Sequence, residues 1–317
     1  VSSSDKRTIS IFLTHPVVAC WSCQEEHVKQ LEEALPDVRI ILCNSEDEFL
    51  SQLPHTIIAL VWYFKQEWLD NAPGLQWIIT PAAGRDYFTI KARPGLTIDY
   101  CTFHGELMAE TVIGMMLAQA RGIRDTILVQ EEDPWPPASI QEHMRPLRGS
   151  HLVVCGFGNI GRWIGKLAKP FGMRITGIKR TPAESPDYFE QGDAILTVKD
   201  VDTVLPEADH LVLALPGGEQ TTNFIDARRI SMLPAHAVIY NVGRGNAIDE
   251  SALLSALNTR SLEAAYLDVF KTEPLPETSP LRRSPYIFIM PHASAISPNY
   301  LTLFAREVIQ KYRNRYY

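Results

Sequence analysis

The sequence predicts an α/β protein made of two doubly wound parallel-sheet domains, and three observations carry that expectation. Short β-branched runs alternate with helical patterns in two separate series. A proline-rich segment, EEDPWPP, stands between the series and cannot be regular structure. The second series opens on G-x-G-x-x-G placed between a strand pattern and a helix pattern, which is the context a dinucleotide-binding turn requires.

The first series begins at Thr8. TISIFLT, VRIILC, TIIALVWY and LQWIIT read as buried parallel strands, and QEEHVKQLEEAL between the first two places Val28, Leu31 and Leu35 on one helical face. GELMAETVIGMMLAQARGI is apolar nearly all round, as expected of a long helix buried between domains or subunits. The second series starts at His151. HLVVC, MRITGI, AILTV, HLVLAL, HAVIYNV and AAYLDVF are its strands, with helices such as GRWIGKLAKPF and ESALLSALNTR between them. From about Ile296 to Tyr317 a final helix carries Leu301, Phe304, Ala305, Val308 and Ile309 on one face and is expected to fold back on the first domain.

Composition narrows the function classes. At 317 residues the chain exceeds one ordinary domain, and 45% hydrophobic with 21% charged residues is a soluble globular balance. The net charge of -7 argues against a nucleic-acid or anionic-membrane surface. No apolar run approaches the roughly 18 residues that span a bilayer. Lys6-Arg7 ahead of ISIFLTHPVVAC imitates a targeting signal, but His15 and Pro16 interrupt it, so a first strand is expected there. Five scattered cysteines do not form a disulfide framework, and a reducing, cytoplasmic compartment is expected. Cys20 and Cys23 have C-x-x-C spacing, yet no second pair exists to complete a zinc site, so they read as packing or loop thiols and no metal is expected.

The motifs then point to a nicotinamide cofactor. Gly156 is expected to make the tight turn, Gly158 to admit a pyrophosphate, and Gly161 to let helix and strand pack closely. The first helical residues, Asn159, Ile160 and Gly161, would offer backbone N–H groups and the positive end of the helix dipole to the phosphates. About 20 residues beyond the first glycine, an acid normally binds the ribose hydroxyls of NAD. Lys179, Arg180 and Thr181 occupy that turn instead. A guanidinium binds a 2'-phosphate bidentately and an ammonium adds charge, so NADP is favoured, with NAD possible and a merely solvated basic turn as the competing account. Val242, at the end of its strand, is expected beside the cofactor.

Three further residues stand just past strands of the second series: Arg244 in NVGRGNAIDE, Glu273 in DVFKTEPLPETSP and His292 in MPHASA. Arg244 suits a carboxylate and its neighbouring keto oxygen, His292 suits proton exchange near neutral pH, and Glu273 suits the other ring nitrogen of that imidazole. Each alone has a structural explanation: a turn arginine, a satisfied loop histidine, a surface glutamate. Their joint placement favours the catalytic reading.

At this point the chain resembles the D-isomer-specific 2-hydroxyacid dehydrogenases. GFGNIG, LALPGGEQTTNFID, NVGRGNAIDESALLSAL, AYLDVFKTEPLP and IMPHASA follow that family's order from about Leu75 to His292. The resemblance implies a Rossmann cofactor domain, residues 102–290, and a smaller, discontinuous flavodoxin-like substrate domain, residues 1–101 and 291–317, with hinges near Cys101 and Met290. It implies that Arg244, Glu273 and His292 are the catalytic residues, that Asp268 holds the nicotinamide carboxamide, and that Leu215 and Pro216 pass beside the cofactor. PAAGRDYF matches the loop that receives the substrate carboxylate, nominating the backbone N–H groups of Ala83 and Gly84 alongside Arg244 and His292. The helix GELMAETVIGMMLA implies a homodimer.

Four departures from the family pattern matter. Lys179 replaces the usual Asp and reinforces NADP. Met290 replaces a common threonine, with an effect expected on packing. Arg85 replaces a small apolar residue and is expected to point outward rather than toward a second acidic group. Glu273 in place of Gln sets aside the formate dehydrogenase branch. The expected activity is reversible reduction of a 2-oxo acid to a D-2-hydroxy acid with NADPH, with Tyr63, Phe103, His104 and Trp135 as candidates around the substrate side chain. The alternative is a nucleotide-sensing, corepressor-like binding protein on the same scaffold, against which the absence of long flanking interaction tails speaks.

Overall fold

A computed structural model describes residues 6–85, 88, 90–129, 135, 140–141 and 144–317. Apart from Trp135, the EEDPWPP segment lies outside the described residues, as do Asp86 and Tyr87 of PAAGRDYF. The chain divides into two compact units, Val1–His104 with Ile296–Tyr317, and Gly105–Ala295. The junctions thus stand a few residues beyond Cys101 and Met290. Phe103 and His104 stay with the first unit because both rings pack on Tyr300. Residues up to Ser294 stay with the second because Asp268 accepts the N–H groups of Ala293 and Ser294.

In the first unit five strands, β1 (Arg7–Phe12), β2 (Val38–Leu42), β3 (Ile58–Val61), β4 (Trp77–Thr80) and β5 (Thr97–Tyr100), pair in the order β2-β1-β3-β4-β5, all parallel. That order is the flavodoxin-like one. β3 reads as a continuous apolar run, and β1 is buried from Thr8 to Phe12, because both faces are covered. Ser10, buried in β1, is tolerated because its hydroxyl lies 2.7 Å from that of Thr56. The helix Glu25–Ala34 starts in a reciprocal box between Gln24 and His27, and the helix Glu46–Gln52 starts on Ser45, whose hydroxyl accepts from the Glu48 N–H. The C-terminal helix, Tyr300–Tyr316, buries Leu301, Phe304, Ala305 and Val308, as its sequence spacing requires, together with Tyr300 and Tyr312, while Ile309 is only half-buried.

In the second unit seven strands, β6 (His151–Cys155), β7 (Arg174–Lys179), β8 (Ala194–Thr197), β9 (His210–Leu213), β10 (Val238–Asn241), β11 (Ala264–Leu267) and β12 (Ile287–Ile289), pair in parallel in the order β12-β11-β10-β9-β6-β7-β8. This is the Rossmann arrangement with one strand added. The chain winds outward from β6 through β7 and β8, then returns to β9 on the other side of β6, which opens a crevice at the carboxyl ends of β6 and β9. The helix His104–Ala120 buries Met108, Val112, Ile113 and Met116 against Val154, Val212 and Tyr240 of the sheet.

Two strands escaped the sequence pattern. β5, TIDY, carries Asp99 and lacks a continuous apolar run, while β12 is apolar but only three residues long. Among the described residues no helix is long and apolar enough to cross a membrane. All five cysteines are free, and burial pushes the Cys23 thiol up to about 12, as befits a packing thiol.

Candidate active site

The nucleotide end of the site is built on the switch point. β6 ends at Cys155, a thiol that burial pushes up to about 12, and the chain turns at Gly156 with φ of 95°. A side chain there meets both a left-handed backbone and the Ala214 carbonyl, so only glycine fits. The Gly156 and Phe157 N–H groups bond the Ile178 carbonyl at 3.0 and 2.9 Å, which ties the turn to β7. Gly158 then precedes the helix Asn159–Ala168, and open space stands above its Cα. A Cβ on Gly161 would press into the Gly156 carbonyl, so close packing of helix on turn needs that glycine as well. The first N–H groups of this helix, at Asn159, Ile160 and Gly161, have no intrahelical acceptor and line up with the dipole. That is a cradle of the right chemistry for a diphosphate.

Lys179 ends β7, half-buried, and Arg180 and Thr181 follow it into solvent. Neither cation has a hydrogen-bond or ion-pair partner among the described residues. Leu215 is buried and Pro216 exposed just past β9, and Val242 is buried just past β10. These residues therefore share the carboxyl edge of the sheet with the glycine turn.

The three candidate catalytic residues follow the neighbouring strands β10, β11 and β12. Arg244 is half-buried and its Nη1 donates to the Gly243 carbonyl at 2.8 Å. Asn241, buried at the end of β10, holds the turn from inside: its Nδ2 donates to the Arg244 carbonyl at 3.0 Å, and its Oδ1 accepts the Gly243 N–H at 3.2 Å. Beyond β11, Glu273 accepts the Phe270 N–H on Oε1 at 2.9 Å and faces His292 Nδ1 with Oε2 at 2.8 Å. A carboxylate cannot donate, so Nδ1 carries the proton toward Glu273 and Nε2 is left for chemistry. The two halves adjoin, since Gly245 packs directly on the Phe270 backbone and leaves no room for a Cβ.

His292 sits in an unusual backbone conformation, with φ of 54°. Its N–H bonds the Asp268 carbonyl at 2.8 Å, and the Asp268 carboxylate accepts the next two N–H groups, from Ala293 at 2.6 Å and from Ser294 at 3.1 and 3.2 Å. Asp268 is fully buried. Its side chain, expected at a carboxamide, is thus engaged in fixing the loop that presents the imidazole. Sequence reasoning missed Asn241 and this second task of Asp268, because both act through backbone groups distant in sequence. The signal in principle was a polar residue ending a buried strand, where only a hydrogen-bonded side chain is tolerated.

In the first unit Ala83 is exposed and Gly84 half-buried just after β4, and their N–H groups have no partner among the described residues. Arg85 is exposed and lies over the Tyr100 ring at 5.7 Å, in line with its expected outward course. Of the residues nominated around the substrate side chain, Tyr63 gives its hydroxyl to Glu46 at 3.2 Å and Trp135 is 84% exposed. Phe103 stacks on His104, and His104 is buried with Nε2 at 2.8 Å from the Tyr300 hydroxyl. Burial pushes His104 down to about 4, so its ring is neutral. Met290 packs against the second unit's core, as its apolar side chain suggests.

This fold and site define a class: a nicotinamide-linked oxidoreductase with a glycine turn at a Rossmann switch point and an Arg, Glu, His set at the adjacent strand ends. Comparison with known proteins agrees. Residues 113–294 match the family described as "D-isomer specific 2-hydroxyacid dehydrogenase, NAD binding domain". The chain is 32% identical over 229 residues, 71% of its length and 69% of the relative's, to a glyoxylate/hydroxypyruvate reductase B of Escherichia fergusonii. Among solved structures it superposes on a D-isomer-specific 2-hydroxyacid dehydrogenase family protein from Aeromonas salmonicida with a TM-score of 0.80 at 28% identity, covering 98% of this chain and 96% of that one. A D-isomer-specific 2-hydroxyacid dehydrogenase from Xanthobacter autotrophicus, solved with NADPH and MES, gives a TM-score of 0.78 at 25% identity over 96% and 94% of the chains. The protein belongs to the D-isomer-specific 2-hydroxyacid dehydrogenase family and is an NAD(P)-dependent oxidoreductase.

Proposed function

We propose that the protein reduces a 2-oxo acid to the D-2-hydroxy acid, reversibly, with NADPH preferred over NADH. The observation that carries the reading is the 2.8 Å contact between Glu273 and His292 Nδ1, which leaves Nε2 as the proton donor beside the Arg244 turn. The reductase name of the Escherichia fergusonii relative supports the substrate class. The glycine turn, the open space at Gly158 and the cations Lys179 and Arg180, which have no partner among the described residues, fit a phosphorylated dinucleotide.

In this reading the reduced nicotinamide supplies a hydride to the carbonyl carbon. His292 Nε2 gives the keto oxygen its proton, turning it into the hydroxyl, and is reprotonated from water. Glu273 stabilises the imidazolium before transfer and keeps the ring oriented. Arg244 forks onto the substrate carboxylate and offsets charge growing on the oxygen. Ala83 and Gly84 are proposed, on the family resemblance, as donors to the same carboxylate through their backbone N–H groups. Leu215, Pro216 and Val242 form the apolar wall behind the cofactor, and Asp268 carries the His292 loop. The assembly proposed is a homodimer, supported by the exposure of Ile127 and Leu128 on the helix Ile123–Val129, at 58% and 62%. The free cysteines fit a cytoplasmic site of action.

The test is a panel of glyoxylate, hydroxypyruvate, pyruvate and bulkier 2-oxo acids with NADPH and with NADH, followed by loss of the reduced cofactor's absorbance. Turnover with at least one acid, faster with NADPH, is expected. Nucleotide binding without turnover of any acid would overturn the reductase reading in favour of a nucleotide-sensing binding protein.

A further inference from the structure

We propose that a cavity at the amino-terminal edge of the seven-stranded sheet binds a small organic carboxylate, at a place separate from the candidate active site. The cavity has a volume of about 320 Å³ and is bordered by Ser150, His210 and Val238, at the amino ends of β6, β9 and β10. The glycine turn, Leu215 and Val242 lie at the other ends of these same strands. Five residues of β6 at about 3.3 Å each separate the two edges by roughly 16 Å, so one small ligand cannot reach both.

The argument is an accounting of hydrogen-bond capacity on the cavity wall. Gln119 is 6% exposed, and its Oε1 accepts the Tyr266 hydroxyl at 3.0 Å. Its NH₂ group has no acceptor among the described residues. His210 is also 6% exposed, with Nδ1 at 3.0 Å from the Tyr240 hydroxyl. Tyr240 is fully buried, and burial holds its phenol protonated, so its O–H must point at the one acceptor it has among the described residues, His210 Nδ1. Burial lowers His210 to about 4, so the neutral ring carries its single proton on Nε2. Arg148, at the rim, has no hydrogen-bond or ion-pair partner among the described residues.

The acceptors on the wall are already engaged. Asp209 takes the His151 N–H on Oδ2 at 2.6 Å and His236 Nε2 on Oδ1 at 2.7 Å. Glu263 takes Arg260 on Oε1 at 3.3 Å. What remains unspent is a set of donors: an amide NH₂, an imidazole N–H and a guanidinium. A cavity whose buried side-chain donors are unspent while its carboxylates are already held by the protein favours an acceptor-rich anion. Ala120, Pro146 and Val238 supply apolar wall between these donors. A carboxylate on a compact apolar body matches both parts, whereas phosphate would leave the apolar wall uncovered and bring a second charge near Asp209 and Glu263. The volume lies at the lower end of the range for small-molecule sites.

The experiment is isothermal titration of the full chain, carrying Arg244→Ala to disable carboxylate binding at the candidate active site, with benzoate, succinate and inorganic phosphate as probes. One benzoate or succinate per chain is expected, with phosphate weaker. Adding Arg148→Ala, at an exposed position, is expected to weaken binding about tenfold or more, and so is Gln119→Glu, which keeps the acceptor for Tyr266 but turns the free donor into a repelling oxygen. Thermal unfolding verifies that both variants fold. Absence of saturable binding, tighter binding of phosphate, or affinity unchanged in both variants would each overturn the proposal. The readout is binding alone, so it stands or falls independently of any turnover measured for the unaltered protein.

Discussion

The two edges of the seven-stranded sheet use the same residue types to opposite ends. At the amino edge His151 bonds Thr176 at 2.8 Å and the Glu207 carbonyl at 3.1 Å, Arg174 pairs with Glu207 at 2.7 Å, and Asp209 joins His236 at 2.7 Å. There the charged and aromatic nitrogen groups mostly satisfy one another. At the carboxyl edge none of Lys179, Arg180 and His292 Nε2 has a partner among the described residues, while Glu273 holds His292 Nδ1. A histidine or an arginine at a strand end is therefore not functional by its type. What separates His292 from His151 is whether the hydrogen-bonding capacity of the ring is consumed by the fold.

This contrast is most sharply tested at the two histidines. His292→Ala is expected to lower kcat by about 10²–10⁴-fold with NADPH binding retained, read by steady-state rates beside nucleotide titration. His151→Asn, at the amino edge, is expected to lower the unfolding midpoint and leave kcat per folded molecule near its original value. Equal losses of kcat in both would erase the distinction. Next in size, Lys179→Asp combined with Arg180→Ala is expected to shift the ratio of kcat/KM for NADPH over NADH by about 10–10²-fold toward NADH, the value of one or two charge-assisted hydrogen bonds. An unchanged ratio would refute the phosphate clamp. A comparable effect, about tenfold or more in kcat, is expected for Glu273→Ala, with KM for the oxo acid little altered because the orienting carboxylate does not touch it.

The smallest effect concerns pH. His210 and His104 are pushed by burial from 6.5 down to about 4 in the folded protein. Their neutral forms favour folding above the unfolded value. As pH falls from about 6.5 toward about 4, the unfolded chain takes up protons that the folded chain refuses, and stability declines. The unfolding midpoint is expected to fall across that window, and His210→Asn is expected to flatten the fall. A midpoint indifferent to pH between 7 and about 4 would contradict the burial assigned to these rings.

Much of this architecture was legible in the residues. Ten strand runs and the principal helices followed from apolar spacing, since a parallel strand covered on both faces has little choice but Val, Ile and Leu. The glycine turn was legible because a left-handed backbone at Gly156 and a crowded one at Gly161 exclude other residues. The strands β5 and β12 were not, because TIDY is broken by a charged residue and IFI is only three residues long. Nor was the role of Asn241, whose partners are backbone groups around Arg244, or the engagement of Asp268 by amides 25 and 26 positions further along.

From the linear order of amino acids alone come the two alternating series, the dinucleotide turn, the basic pair in place of a ribose-binding acid, and the Arg, Glu, His succession. Those are local or periodic properties, dictated by sterics and by side-chain chemistry over a few neighbouring positions. Tertiary structure alone decided that Glu273 meets His292, that Asp268 anchors the loop that carries His292, and that burial keeps the His210 and His104 rings neutral. Such outcomes depend on burial and on which distant backbone groups a side chain reaches, and both are set only when the strands are laid side by side.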